Sequence, residues 1–176
     1  MKNGVLNLMG LALLTMVFGA CNDDEVIPVV DPIIGEWVAA EGQFLTLTID
    51  GEEKSMVEFG MEVLRSNEAG AEQAAKEYLQ NTILGPIDIE EPTLLFSSSD
   101  QLSAVLASEE IEGTWKFQNA RTVLKLKVPD LNEHYFTFNL KKLTANELEL
   151  DWDWEMSFIG DETETYEVSL KVKLVK

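Results

Sequence analysis

The clearest pattern in the chain is a strict alternation of polar and apolar residues over positions 147–158. Its apolar members are Leu148, Leu150, Trp152, Trp154, Met156 and Phe158. The residues between them are acidic, apart from Ser157. Successive side chains of a β-strand point to opposite faces, whereas a helix would spread both sets around its circumference. The segment therefore predicts a strand with one face in a core and the other in water.

Similar segments with a period of two recur along the chain and are separated by turn residues such as Asp50-Gly51. They cover residues 34–37, 45–49, 93–97, 102–107, 111–115, 124–128, 134–140 and 166–175. A meander of such strands avoids open edges when it closes into a barrel. The predicted fold class is mainly β: an antiparallel up-and-down barrel of eight to nine strands.

The final two strands can be aligned, because a slip of one residue would place tryptophans in water. The predicted register pairs Trp154 with Leu170, Trp152 with Val172, Asp153 with Lys171 and Asp151 with Lys173. The two acid–lysine pairs would lie on the outer face and contribute about 0.2–1 kcal/mol each. We therefore interpret the acidic face of this strand as a solvated surface. A weak calcium site built from its carboxylates is the alternative that the pattern leaves open.

Residues 54–90 interrupt the strand pattern and predict a helical insert after the first strands. Within residues 71–79 the apolar side chains recur at the spacing of an amphipathic helix. Asn67 is the predicted N-cap of this helix, and Gly85-Pro86 is its predicted end. A capping box of Ser55 and Glu58 favours a further helix over residues 56–64, although this segment also alternates as a strand would. The insert is expected either to plug one end of the barrel or to act as a gate over a cavity.

The N-terminal residues 1–20 have the composition of a signal peptide, because Lys2 precedes an apolar run that is short for a membrane span. The run ends at Cys21, the only cysteine of the chain. The sequence from Phe18 to Cys21 resembles the lipobox of bacterial lipoproteins. The resemblance implies that residues 1–20 are removed and that Cys21 carries the lipid. An ordinary secretory signal is the alternative.

Residues 21–32 predict an extended tether, because they contain two prolines and three consecutive acids. The acids that follow Cys21 resemble the signal that exports some Gram-negative lipoproteins to the cell surface. The resemblance implies a protein that is lipid-anchored in the outer membrane and exposed at the cell surface. A periplasm-facing location is the alternative.

The formal net charge of −19 argues against binding to nucleic acid and against electrostatic binding to anionic membranes. We therefore expect membrane attachment through the N-terminal lipid only. A single cysteine offers no intramolecular disulfide, so the folded domain must be held together by packing.

Several short motifs carry a resemblance to lipocalins and their calycin relatives, above all two Gly-X-Trp motifs ahead of alternating strands. These motifs are Gly35–Trp37, Thr93–Phe96, residues 111–117 with the second Gly-X-Trp, and Leu143–Leu148. The chain resembles the lipocalin-like barrel domains of Gram-negative bacterial lipoproteins over residues 33–176. The resemblance implies a calycin-type barrel that binds a small apolar molecule.

The sequence contains no recognisable catalytic or metal-binding motif. The one histidine, His134, is predicted at the barrel rim at the start of a strand, so a His-rich metal site is excluded. A Ser-His-Asp arrangement would depend on this residue alone, and the sequence contains no nucleophile-elbow, phosphate-loop or dinucleotide motif. A hydrolase with paired carboxylates would need two acids in one cleft, which no spacing predicts. We expect no enzyme activity, no cofactor and no metal.

The predicted interior of the barrel is rich in aromatic side chains. The candidate ligand-binding residues are Trp115, Phe117, Phe136, Phe138, Trp152, Trp154 and Tyr166. An eight-stranded barrel is either filled by its side chains or holds one small ligand. The leading hypothesis is a lipid-anchored envelope protein whose barrel binds a small hydrophobic ligand. The alternative is a filled barrel that serves as a surface interaction module for a protein or glycan partner.

Overall fold

The structure is a computed structural model that describes residues 30–42, 44–159 and 163–176, without the side chains of residues 158, 159 and 163. The predicted signal peptide, Cys21 and most of the predicted tether lie outside the described residues. The inward orientation expected for Phe158 lies outside them too.

The described residues form a strand-rich domain with one helical insert. The strands are β1 (Gly35–Ala39), β2 (Leu45–Ile49), β3 (Glu52–Glu53), β4 (Thr93–Phe96), β5 (Gln101–Leu106), β6 (Glu109–Gln118), β7 (Val123–Lys127), β8 (Phe136–Leu143), β9 (Glu147–Ile159) and β10 (Thr163–Val175). The helices are α1 (Met56–Glu62) and α2 (Glu68–Leu79), and α2 continues into a π-helical turn at Gln80–Leu84. A 3-10 turn at Asn119–Arg121 joins β6 to β7.

Eight of these strands close into an antiparallel barrel. Strands β4 to β10 form a meander in chain order, and β1 closes it by pairing with β4 on one side and with the end of β10 on the other. Strands β2 and β3 extend the sheet beyond β10. The predicted fold class is therefore confirmed: a mainly β, closed antiparallel barrel with a helical insert after the first strands.

Strands β1 and β2 lie one after the other along β10 and are separated by a break. The backbone of Lys173 spans this break, because its carbonyl accepts from Ala40 N at 3.1 Å and its N–H donates to Phe44 O at 2.8 Å. The break lets β1 turn towards β4 and close the barrel while β2 continues along β10.

The predicted register of the last two strands is wrong by two residues. Trp154 lies opposite Val168 and Trp152 opposite Leu170, and on the outer face Asp151 lies opposite Lys171. Both registers keep the tryptophans inside and place acids opposite lysines, so neither criterion could separate them. The observed register pairs every residue of β9 with one of β10, up to the short connection at residues 160–162.

One end of the barrel, here called the tether end, is closed by the residues at which the described chain begins. The Trp37 indole N–H donates to Ile33 O at 2.6 Å, and Lys176 Nζ donates to Pro32 O at 2.6 Å. Asp31 accepts two hydrogen bonds from Arg121, each 2.7 Å long, and these hold the pKa of its carboxyl below the usual range. Indole, ammonium and guanidinium groups thus fasten the N-terminal segment across this end.

The opposite end is closed by the helical insert, whose boundaries follow the predicted signals. Ser55 and Glu58 form the capping box of α1, which confirms a helix rather than a strand at Met56–Glu62. Asn67 caps α2 by accepting from Gly70 N at 3.0 Å. Gly85 ends the helical segment with a φ of 57°, a left-handed conformation that favours glycine.

Candidate functional site

The predicted interior residues all pack in or against one continuous core. Trp115, Phe136 and Phe138 are buried, and the remaining four residues of the predicted set pack against them partly buried. The rings meet edge to face, for example at 5.5 Å between the Trp115 and Phe117 centroids and at 5.9 Å between Phe138 and Trp152. The alternation rule therefore placed these side chains on the correct face; their role in ligand binding stays a prediction.

The helical insert reaches into the same core from the far end of the barrel. Phe59 of α1 and Leu79 of α2 have no exposed surface, and the Phe59 ring lies 6.4 Å from Trp154 and 5.9 Å from Tyr78. At the end of the insert, a Cβ on Gly85 would lie 2.6 Å from the Phe136 ring. The insert thus occupies space that an internal ligand would need at this end.

One polar atom in this interface has no partner. The Trp154 Nε1 atom is buried and makes no hydrogen bond within the described part of the chain. The Tyr78 hydroxyl lies near it, and burial raises the pKa of Tyr78 while the indole opposes that rise. The two groups fall short of the geometry of a hydrogen bond.

A concave region, here called the outer groove, lies outside the barrel across β2, β10, β9 and β8. Its volume is about 740 Å³. It is lined by Gly42, Leu45, Thr46, Glu53, Lys141, Glu149, Leu150, Asp151, Lys171, Val172 and Lys173. Charged side chains of both signs border it, over a floor that includes three aliphatic residues.

Asp151 is the distinctive residue of the outer groove. It points outward from β9, yet only 5% of its surface is exposed, and it is the one charged residue buried among the described residues. Its Oδ2 atom lies 2.8 Å from Lys141 Nζ, and this contact raises the pKa of Lys141. Its Oδ1 atom is buried without a hydrogen-bond partner in the described structure. A buried carboxylate oxygen is costly to leave unpaired, so a donor that reaches Oδ1 when a neighbouring side chain moves aside would be favoured.

Two irregularities of the sheet shape the outer groove. Lys141 is an extra residue in β8, because Leu140 pairs with Leu150 and Lys142 already pairs with Glu149. Such a bulge redirects a side chain, and here it brings the Lys141 ammonium over Asp151. On the other side, the break between β1 and β2 contributes Gly42 to the lining.

Lys171 supplies a donor next to this acceptor. It lies opposite Asp151 in β10 and is exposed, and none of the described acids is within ion-pair distance of it. Lys173, the next outward residue, is held by Glu147 at 2.8 Å. The outer groove therefore offers one unused acceptor and one unused donor from a single cross-strand pair.

The sequence pattern missed the outer groove. Alternation assigned Asp151 to solvent, and nothing in a local window reports the bulge that places Lys141 beside it. A second cavity of about 470 Å³ continues the outer face. It is lined by Thr48, Gly51, Asp153, Trp154, Glu155, Glu167, Val168 and Ser169.

The one histidine and the acidic residues do not form a metal site among the described residues. His134 is exposed in the loop before β8. The observed strand begins at Phe136, two residues after the predicted start at residue 134. Among the described residues no three His, Cys, Asp or Glu side chains are grouped as a metal site would require. Within the same residues no helix is long and apolar enough to cross a membrane.

Comparisons with known proteins add little to this description. No family model matches the chain, and no curated protein matches it. Among solved structures, a DUF4847 family protein from Bacteroides vulgatus ATCC 8482 is similar, with 12% identity and a TM-score of 0.34. The match covers 78% of this chain and 92% of that one. The class of this protein therefore follows from its own architecture, a closed eight-stranded antiparallel barrel that is consistent with a calycin-like fold.

Proposed function

We propose that this chain is a lipid-anchored protein of the cell envelope whose filled barrel is a recognition module, and that it binds a polar ligand in the outer groove. The observation that carries the proposal is the packing of the helical insert into the barrel core. Phe59, Leu79 and Leu84 are all fully buried there. An interior filled in this way favours binding on the outside over the carriage of an apolar molecule.

The chemistry of the outer groove indicates the class of ligand. Asp151 Oδ1 accepts a hydrogen bond and the Lys171 ammonium donates one, so a ligand that offers both a donor and an acceptor satisfies the pair. The hydroxyl groups of a neutral saccharide have this property. The balance of lysines and acids around the groove also suits a ligand without net charge.

The direct test is a panel of neutral oligosaccharides, screened against the full chain by saturation-transfer NMR. We expect binding that falls about tenfold in Asp151→Asn, because Lys141 would keep the amide oxygen and turn an NH₂ donor to where Oδ1 accepts. Asp153→Asn is the matched control, since Asp153 is an exposed acid on the same face of β9. Binding that survives Asp151→Asn unchanged, or no saccharide binding at all, would count against the proposal.

A second candidate function is the carriage of a small hydrophobic ligand behind a movable insert. The observation that favours it is the buried, unpaired Nε1 of Trp154 at the contact with the insert. Extraction of the purified chain with organic solvent, followed by mass spectrometry, separates the two functions. The recognition module predicts no stoichiometric apolar compound, whereas one such molecule per chain would favour the carrier.

The lipid anchor is a separate part of the proposal, supported by the resemblance of residues 18–21 to a lipobox. Cells fed a fatty acid with a terminal alkyne should label the wild-type chain and not the Cys21→Ser variant. Proteinase added to intact cells should degrade the chain if it faces outward. Labelling that persists in Cys21→Ser would contradict the anchor.

A further inference from the structure

A cluster of lysines lies on the outer face of β6 and β7, two strands that do not line the outer groove. Lys116 Nζ lies 4.1 Å from the centre of the Tyr135 ring, and Lys125 Nζ and Lys127 Nζ each lie 5.8 Å from it. Lys116 and Lys125 are direct cross-strand partners. We call these three lysines and Tyr135 the lysine patch.

The lysine patch stands out because its charges are not neutralised. Seven of the twelve lysines and arginines in the described part of the chain form ion pairs with acids. The three lysines of the patch form none with the acids that the structure describes, although the sequence is strongly acidic. Three like charges around one ring repel each other, and the ring face offsets only part of that repulsion. An anion from outside the molecule would remove it.

We propose that the lysine patch binds an anionic glycan, whose carboxylate groups pair with the lysines while a sugar ring stacks on Tyr135. The Tyr135 side chain is 36% exposed, so part of its ring stays open beside the ammonium groups. An aromatic platform ringed by cations matches a ligand that carries both negative charge and an apolar ring face. The site is distinct from the outer groove and does not depend on the function proposed for it.

Two other anionic partners fit the molecule less well. A second copy of the chain carries the same net charge of −19 and would be repelled over its whole surface. A membrane surface is expected near the tether end, where Asp31 binds Arg121, whereas Tyr135 precedes β8 at the insert end. A glycan strand needs contact with the patch alone.

The test is affinity electrophoresis of the detergent-solubilised full chain in native gels that contain polygalacturonate, polyglutamate or neutral dextran, at about 0.15 M salt. We expect retardation by polygalacturonate and none by dextran. Lys116→Gln combined with Lys125→Gln and Lys127→Gln should weaken retardation by roughly tenfold or more. Lys76→Gln, which lies on α2 and also removes a positive charge, should leave it unchanged.

Tyr135→Leu distinguishes a glycan from an acidic peptide, because it keeps all three charges and removes the stacking surface. It should weaken binding to polygalacturonate and leave any binding to polyglutamate as it was. Equal retardation by both polymers with no effect of Tyr135→Leu would overturn the glycan in favour of an acidic peptide. Retardation unaffected by the triple lysine substitution, or no retardation by polygalacturonate, would overturn the site itself.

Discussion

Two glycines of the helical insert have opposite surroundings, and the difference shows how tightly the insert is packed. A Cβ on Gly60 of α1 would overlap the backbone of Ala71 in α2, so the two helices cross at van der Waals contact there. A Cβ on Gly70 would meet only the Asn67 side chain, at 3.6 Å. Backbone cannot move aside as a flexible side chain does, so only the first position requires glycine.

We therefore expect Gly60→Ala to lower the free energy of unfolding by about 3 kcal/mol, because α1 and α2 must separate. Gly70→Ala should raise it by about 0.5 kcal/mol, since alanine restricts the unfolded chain and suits a helix. Urea unfolding of both variants measures the two changes. A Gly60→Ala variant as stable as the wild type would mean that the insert is loosely held.

Glu147 carries the largest carboxylate pKa shift of the described residues for which a value is resolved. Hydrogen bonds from Lys142 and Lys173 lower its pKa from 4.5 to about 2. A lowered pKa in the folded state stabilises the fold above the pKa of the unfolded state, and this contribution is lost as the pH falls from 4.5 towards 2. The Glu147 carboxylate, at the start of β9, thus links β9 to Lys142 of β8 and to Lys173 of β10.

The stability advantage of the wild type over Glu147→Gln should accordingly shrink as the pH falls through this range. Chemical unfolding at a series of pH values measures it. Glu133→Gln, at an exposed acid that forms no ion pair among the described residues, is the control and should track the wild type. A constant difference between wild type and Glu147→Gln at all pH values would contradict the shift.

At the scale of the elements, the pairing of β9 with β10 is the longest contact of the barrel, and its register can be tested directly. Glu155 lies opposite Glu167 on the outer face. Glu155→Cys with Glu167→Cys should form a disulfide under mild oxidation, because directly opposed residues have Cα atoms within bridging distance. Asp153→Cys with Lys171→Cys, the pair predicted from the sequence, is two positions out of register and should stay reduced.

Mass spectrometry of the oxidised proteins gives the result. Efficient crosslinking of the second pair instead of the first would restore the register predicted from the sequence. The Cys21→Ser background removes the natural thiol in both cases.

Local patterns predicted the faces and ends of elements well, and the register between paired strands poorly. The alternation around Trp152 and Trp154 identified the core face, and Ser55 and Asn67 marked the starts of both helices. These features depend on neighbours in the chain. The register of β10 does not, because acids and lysines recur with the same period of two in both strands.

The candidate site escaped prediction for a related reason. The partner of Asp151, Lys141, is the extra residue of β8, and the alternation along β9 contains no sign of it. The lysine patch combines β6, β7 and the residue before β8, so its three charges come together only in the closed sheet. A short sequence window does not show which residues of other strands lie beside a given side chain.

At the scale of the whole molecule, the barrel has two ends with different closures. The tether end is fastened by Trp37, Lys176 and the Asp31–Arg121 pair, and the other end is filled by the insert. The side wall between them carries the outer groove and the lysine patch on different strands. Both proposed binding sites therefore lie on the side wall, between two closed ends.

Native-state hydrogen exchange decides whether the insert is a fixed part of this closure. A plug that shares the barrel core opens only when the whole domain unfolds, so the amides of Leu79 and Ile83 should exchange with the free energy and denaturant dependence of β9 and β10. Exchange of the insert amides at a much smaller free energy, insensitive to denaturant, would show a gate that opens by itself. That result would contradict a permanently filled barrel and would favour the carriage of a small hydrophobic ligand in its interior.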